Sequence, residues 1–204
     1  HVNYLKLKNF TNGVLSYDSV SYDAQSIPES VKTRVKSIGS KDTINSTDSL
    51  VDFYARLAEV TFSEDGHHVP ILMFYDNNYK IIDLLTTTFE DQADKFIFWR
   101  SAAERARITN AYGFLWIAEL WVRNSKINST KAIHQMPIVD EKLQIIGIDS
   151  DNCKKSISWK VLREDEQSKP TLAQSEVVDL DEGQAFYMRP ILKAIGGDIS
   201  KLNG

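Results

Sequence analysis

The sequence predicts an α+β fold: a mostly antiparallel sheet of about five to six strands with two main helices, at about residues 48–62 and 88–108. Two long segments carry apolar residues every three or four positions, which is typical of amphipathic helices. Short β-branched and aromatic runs are joined by polar turns, which is typical of hairpins and therefore of antiparallel sheets. With 204 residues, 42% of them hydrophobic, the chain is long enough to bury one sizeable core.

Residues 1–45 are predicted to form an N-terminal arm. Alternating Leu and Lys, a Thr-Asn-Gly turn signal and the segment VLSYDSVSYD indicate two short strands. A short helix is expected next, because Pro28 suits a first helical turn and Gly39 suits a C-terminal cap. The small polar stretch 40–48 predicts a linker between this arm and the rest of the chain.

The main domain, predicted at 46–195, begins with the first main helix. Ser46 or Thr47 suits its N-cap, and a Gly follows its last turn. VPILMFYD and YKIIDLLT, joined by Asn-Asn, indicate a hairpin. Thr87 or Thr88 suits the N-cap of the second main helix, whose first turn is acidic and whose C-terminal half carries arginines, as the helix dipole favours.

The segment AYGFLWIAELWVRN at 111–124 is predicted to be a central strand. Both of its alternating faces are apolar, so we expect other elements to cover both. KLQIIGID and KKSISWKVLRED indicate a second hairpin around an Asp- and Asn-rich turn. TLAQSEVVDL predicts a last strand and GQAFYMRPILKAIGG a short helix, after which 196–204 is predicted to be a tail.

Composition narrows the function classes. The net charge of −4 argues against a general nucleic-acid binder, which is usually basic. No apolar run approaches the roughly 20 residues that a membrane helix needs. Cys153 is the only cysteine, so no intrachain disulfide forms, which favours a reducing compartment. We therefore expect a soluble, cytoplasmic protein with no membrane role, and neither a cofactor nor a nucleic-acid partner is predicted.

Glu119 is the main candidate for a catalytic residue. It lies among apolar neighbours in the predicted central strand, where a lone carboxylate is costly unless it is paired or protonated. Such an acid serves either as a catalytic group or metal ligand, or as the structural partner of an arginine such as Arg123, Arg100 or Arg163. We favour the structural interpretation, because ion-pair networks shift the pKa of a buried carboxylate as active sites do, so burial alone does not indicate catalysis.

His67 and His68 are the candidate metal ligands. Imidazoles beside carboxylates suit a transition metal, but adjacent side chains of an extended chain point to opposite sides, and no further ligand follows at a typical spacing. A solvated loop is therefore the preferred interpretation. In the alternative, the histidines combine with Glu119, Asp76 and Asp83 in a hydrolase that works with or without a bound metal ion.

Arg100, Arg105 and Arg107 are candidate binding residues, and Trp121 is a fourth. The three arginines, with Trp99 as an aromatic platform, would suit a phosphate-binding face, which makes local nucleic-acid binding a second alternative function. The simpler interpretation is a cationic C-terminal half of an amphipathic helix.

Several segments in a fixed order carry a family resemblance: LVDFYARLAEVTFSEDG, VPILMFY, the long helix, FLWIAELWV, DEKLQIIGID and SWKVLRED. From about residue 50 to 165, this order resembles a family of uncharacterised α+β proteins of bacteria, phages and plasmids. The resemblance implies kinship of fold and a mobile-element origin, and it assigns no residue a role.

Together these patterns favour a binding or accessory protein without catalytic activity, whose arm or sheet edge contacts a protein partner or a second copy. The hydrolase and local nucleic-acid binding remain the alternatives. The sequence does not decide whether the chain is an enzyme.

Overall fold

The computed structural model describes residues 2–11, 14–22, 29–39, 44–89, 92–123, 136–165, 168–180 and 182–201. These residues form four helices, nine strands and a short 3-10 turn at Ile199–Lys201. The helices are α1 Glu29–Ser37, α2 Thr47–Asp65, α3 Gln92–Ile108 and α4 Glu182–Ala194. The strands are β1 Val2–Thr11, β2 Val14–Tyr22, β3 Ile71–Tyr75, β4 Ile81–Thr86, β5 Gly113–Arg123, β6 Ile138–Asp149, β7 Lys154–Leu162, β8 Thr171–Leu172 and β9 Glu176–Val177.

The strands join in the order β2-β1-β4-β3-β5-β6-β7-β8, and β9 also pairs with β7. Every pairing is antiparallel except that of β1 with β4, which joins the N-terminal hairpin to the sheet in parallel. The predicted α+β class with a mostly antiparallel sheet is therefore confirmed. The division into arm, domain and tail stays a prediction. The predicted turn at 12–13 and the polar segment 124–135 between β5 and β6 lie outside the described residues.

Helices cover both faces of the sheet. On one face, α2 packs over buried side chains of β3 and β5 to β7, while on the other face α3 and α4 pack over buried side chains of β3 to β6. In β5, Phe114 and Trp116 face α3 and α4, whereas Leu115 and Ile117 face α2, and all four are buried. The prediction that β5 is a central strand covered on both sides is confirmed.

The ends of α2 follow the predicted capping. The Ser46 side chain accepts the Ser49 N–H, and the Ser49 side chain in turn binds the backbone of Ser46. Gly66 ends the helix at φ 74°, a left-handed conformation that favours glycine, and its N–H donates to Phe62. Close packing positions the helix as well, since the Val51 side chain occupies the space that a Cβ at Gly147 of β6 would need.

The start of α3 differs from its prediction. The helix begins at Gln92, so Thr87 and Thr88 lie upstream of its first turn and do not cap it. The Thr87 hydroxyl instead donates to the carbonyl of Thr88. Threonine next to acidic residues is a common sign of a helix start, but the sign does not fix the first residue.

The connection from α2 to β3 crosses the sheet. It begins at Gly66, beside Lys169 and Pro170 just before β8, and it ends at Ile71, which pairs with Ile117 of β5. Because β5, β6 and β7 lie between β3 and β8, residues 66–70 pass over the α2 face of these strands. This crossing connection carries both candidate histidines.

Candidate functional site

The Glu119 carboxylate accepts a hydrogen bond from the backbone N–H of His68, with 2.5 Å between the two atoms. The three arginines considered as its partner bind elsewhere: Arg163 to Glu141, Arg123 to the carbonyl of Met136, and Arg100 over the ring of Phe96. Within the described ranges, no ion pair includes Glu119. The partner of the Glu119 carboxylate is therefore a main-chain N–H and none of these arginines, and the choice between a structural and a catalytic role for Glu119 stays a prediction.

Position in the sheet explains this bond. Glu119 lies opposite Leu143 of β6, which lies opposite Trp159 of β7, so the three share one row on the α2 face. The crossing connection passes over this face. A main-chain N–H that is removed from water needs a hydrogen-bond acceptor. For the N–H of His68, this acceptor is the Glu119 carboxylate, which projects from the sheet. The half-buried acid in an apolar strand thus holds the crossing connection against the sheet.

The two histidines lie in different environments. His68 is 8% exposed, its Nδ1 lies 2.8 Å from the carbonyl oxygen of Val69, and burial lowers the pKa of its ring. His67 is exposed, and its Nδ1 lies 3.1 Å from the carbonyl oxygen of Asp65. Across the part of the chain that the structure describes, no three His, Cys, Asp or Glu side chains are grouped so as to hold a metal ion.

The two acids of the hydrolase alternative have structural roles away from Glu119. Asp76 follows β3 and accepts two backbone N–H bonds of 2.9 Å within the β3–β4 turn. Asp83 is buried and pairs with Arg105 of α3, on the face of the sheet opposite α2. The structure therefore brings Glu119 and the main chain of His68 together, and it does not bring these acids to them.

The arginines of α3 do not form one basic surface. Arg105 pairs with Asp83 and Arg107 with Glu104, so a nearby carboxylate offsets each of these charges. Arg100 lies over the Phe96 ring, 3.3 Å from its centroid. Helical geometry places Arg100 and Arg107, seven residues apart, on one side of the helix and Arg105 on another.

Trp121 lies where the β5–β6 hairpin extends beyond its neighbours. β3 pairs with β5 only as far as Ile117, and β7 pairs with β6 only as far as Lys142. We call the projecting part, residues 118–123 and 138–141, the ribbon end. Its exposed apolar side chains are Trp121 at 62%, Val139 at 56%, Ile138 at 42% and Val122 at 39% exposure.

The two acids on the β6 side of the ribbon end pair with bases on or beside β7. Glu141 binds Arg163 at 2.7 Å, and Asp140 binds Lys160 at 3.4 Å. These pairs leave the exposed apolar side chains as the main feature that the ribbon end presents to solvent.

Residues 21–203 match the family described as Bacteriophage lambda protein ea47. The chain belongs to this family. It is 54% identical over 202 residues to Protein ea47 of Escherichia phage lambda, an alignment that covers 99% of this chain and 49% of that protein. The chain thus spans about half the length of this relative. No solved structure matches the chain.

The comparison makes the predicted resemblance specific. The sequence predicts, from about residues 50–165, a family of uncharacterised α+β proteins of bacteria, phages and plasmids, and the ea47 family match extends from residue 21 in the predicted arm to residue 203 in the predicted tail. No helix among the described residues of this ea47-family chain is long and apolar enough to cross a membrane.

A second polar cluster of the ea47-family chain lies at the opposite end of the β5–β6 hairpin. Asp149 is 1% exposed and accepts the Thr47 hydroxyl at 2.5 Å, together with the backbone N–H groups of Asp151 and Cys153. The Tyr75 hydroxyl contacts that of Thr47 at 3.0 Å. The sequence predicted a turn here, which the structure contains, but no local signal points to a partner 102 residues away.

Cys153 lies beside this cluster and is exposed. The neighbouring Asp149 carboxylate raises the pKa of the thiol, because a thiolate would be repelled by it. A reactive cysteine needs the opposite shift. The cluster has the properties of a structural joint between α2 and the β6–β7 turn.

Proposed function

We propose that this phage protein is an accessory protein without catalytic activity that acts by binding another protein through the ribbon end. The observation that carries the proposal is the exposure of Trp121, Val122, Ile138 and Val139 within a few residue pairs of one hairpin. Apolar side chains gathered in one exposed place mark interaction surfaces more often than scattered ones do.

The composition of the ribbon end supports a protein partner. Tryptophan is enriched among the residues that contribute most to protein interfaces, because it buries a large rigid area. Trp121 is 62% exposed, so most of this area is available for burial. The neighbouring charges are already paired within the chain, which favours a binding energy that comes mainly from apolar contact.

The environments of the candidate catalytic groups favour binding over hydrolysis. Glu119 is engaged by a main-chain N–H, and Asp83 pairs with Arg105. Asp76 is engaged within its own turn, and burial favours the neutral form of His68. Each group therefore has a structural task, and the groups are divided between two faces of the sheet.

Photo-cross-linking tests the proposal. A photoreactive phenylalanine analogue replaces Trp121 in one version of the protein and Val177 in a control version, and each is irradiated in lysate of cells that carry the phage. Val177 suits the control because it is 75% exposed and lies on β9, beyond the other edge of β7. Mass spectrometry identifies the joined peptides.

We expect position 121 to join specific peptides, from this chain or another protein, that position 177 does not. Equal labelling at both positions, or none at position 121, would overturn the proposal. Because apolar contact is weakly affected by salt, we also expect the yield at position 121 to persist at about 0.5 M salt, where the Debye length is only a few ångströms.

A further inference from the structure

We propose that the partner of the ribbon end is a second copy of this chain, and this inference rests on the proposed function. The two β5 strands pair antiparallel along their open edges, about a two-fold axis that passes beside Trp121. Three features of the described residues carry the inference: an open strand edge, a self-complementary sequence, and exposed apolar side chains at the centre.

The open edge belongs to residues 118–123. β6 covers one side of β5 along its length, whereas β3 covers the other side only at Gly113–Ile117. No other described strand pairs with β5 on that side. An uncovered edge presents main-chain donors and acceptors, and it is a template for pairing with another strand.

The segment Glu119-Leu-Trp-Val-Arg123 is self-complementary when two copies run antiparallel. If Trp121 lies opposite Trp121 of the second copy, Glu119 lies opposite Arg123 of the second copy, and the reverse pair forms as well. Leu120 then lies opposite Val122 of the second copy, also twice. Directly opposed residues share a face, with Cβ atoms about 4.5–5.5 Å apart, and both opposite charges and aromatic pairs stabilise such positions.

Only one register gives this match. A shift by one residue sets Glu119 against Val122, and it separates both charge pairs. In a parallel arrangement, acid would oppose acid. The charges therefore select the register that also places the two most exposed apolar side chains of the ribbon end, one Trp121 from each copy, at the axis.

The structure limits the length of this pairing. β3 begins opposite Ile117, and β5 is described as far as Arg123. Because the axis beside Trp121 pairs residue 119 with residue 123, five residues of each copy, 119–123, form the new ladder. Glu119 keeps its bond to His68, since a carboxylate has about four acceptor positions and accepts more than one donor. Arg123 likewise has five N–H donors in its guanidinium, so the bonds that it makes within the chain, that to the Met136 carbonyl among them, are compatible with an additional carboxylate partner.

Complementary charge reversal tests the register. Glu119→Arg and Arg123→Glu are made separately, and circular dichroism checks the fold of each. Light scattering after size exclusion gives the mass across a hundredfold range of concentration. Wild-type protein is expected to dimerise, and each variant alone to dimerise about tenfold or more weakly, because like charges then oppose each other twice. An equimolar mixture is expected to dimerise again, since both charge pairs are restored between unlike copies.

A disulfide test leaves Glu119, and therefore its hydrogen bond to the His68 N–H, unchanged. Trp121→Cys in a Cys153→Ser background is expected to form a covalent dimer under mild oxidation, because the two positions adjoin at the axis. Val177→Cys in the same background is the control and is expected to form no covalent dimer, although it keeps the ribbon end and associates as the wild type does. Cross-linking of both variants to the same extent would overturn the proposed axis.

The inference is overturned if wild-type protein stays monomeric throughout, or if the mixture associates no better than the single variants. In that case, peptides of a foreign protein joined at position 121 would leave the proposed function standing with a different partner. Failure of the proposed function itself would appear as the lack of any specific cross-link at position 121.

Discussion

At one end of the β5–β6 hairpin Asp149 is 1% exposed, whereas near the other end Trp121 is 62% exposed. The first end encloses charged and hydroxyl groups, and the second leaves large apolar groups in water. This is the reverse of the usual distribution of polar and apolar side chains. The difference lies in the neighbours: α2, Tyr75 and the β6–β7 turn close over the first end, while β3 and β7 stop short of the second.

The comparison separates stability from recognition. Hydrogen bonds at the enclosed end join α2 to strands that are far away in the sequence. The loss of one of these bonds is therefore expected to lower the stability of the whole fold. Among the described residues, few outside the β5–β6 hairpin pack against the ribbon end, so changes there are expected to affect association more than folding. Substitutions at the two ends test this separation.

Asp149→Ala is expected to give the largest loss of stability, about 3 kcal/mol, because the Thr47 hydroxyl and two turn N–H groups lose a buried acceptor. Urea unfolding measures the change. Asp179→Ala removes an exposed acid and serves as the control, with a change within about 0.5 kcal/mol. A loss below about 1 kcal/mol at position 149 would contradict the structural role given to it.

Gly113→Ala is expected to cost about 2 kcal/mol, because its Cβ would overlap the fully buried ring of Tyr75. A double-mutant cycle with Tyr75→Leu checks the cause. If the ring is responsible, the penalty of Gly113→Ala shrinks in the Tyr75→Leu background. Strictly additive effects would mean that the penalty arises elsewhere.

Acidification is expected to destabilise the protein through His68. Burial lowers the pKa of His68 below its ordinary 6.5, so the unfolded chain takes up this proton more readily than the folded one. The free energy of unfolding therefore decreases as the pH falls below about 6.5. His68→Gln is expected to flatten the curve between pH 7.5 and 5, which urea unfolding at a series of pH values measures. An equally steep curve in this variant would contradict the role given to His68.

Trp121→Ser is expected to have the smallest effect on folding, within about 0.5 kcal/mol, because the side chain is mostly in water. The same substitution is expected to weaken dimerisation strongly, since it removes the aromatic pair at the proposed axis. Thermal unfolding and light scattering on one preparation give both quantities. A large loss of stability together with unchanged association would invert the comparison between the two ends.

Local patterns predicted most of the elements. The period of apolar residues located α2 and α3, and alternating runs with polar turns located β3 to β7. The apolar faces of β5 predicted its central position. These properties depend on neighbours in the sequence, so one chain is enough to recognise them.

The candidate site was harder to predict, since its contacts join distant segments. The need of Glu119 for a partner followed from its apolar neighbours, but a main-chain N–H brought by a crossing connection has no signature of its own. The exposure of Trp121 likewise depends on where β3 begins, which the sequence of β5 does not contain. Asp149 resembled an ordinary turn residue for the same reason.

The bond between Thr47 and Asp149 has a consequence for the order of folding. α2 carries its own cap at Ser46 and precedes β5 and β6 in the sequence, yet the acceptor for Thr47 lies 102 residues further along the chain. Contacts of such long sequence separation form slowly, because a long stretch of chain must be ordered first. The attachment of α2 to the β6–β7 turn is therefore expected to be a late step of folding, after β5 and β6 have paired.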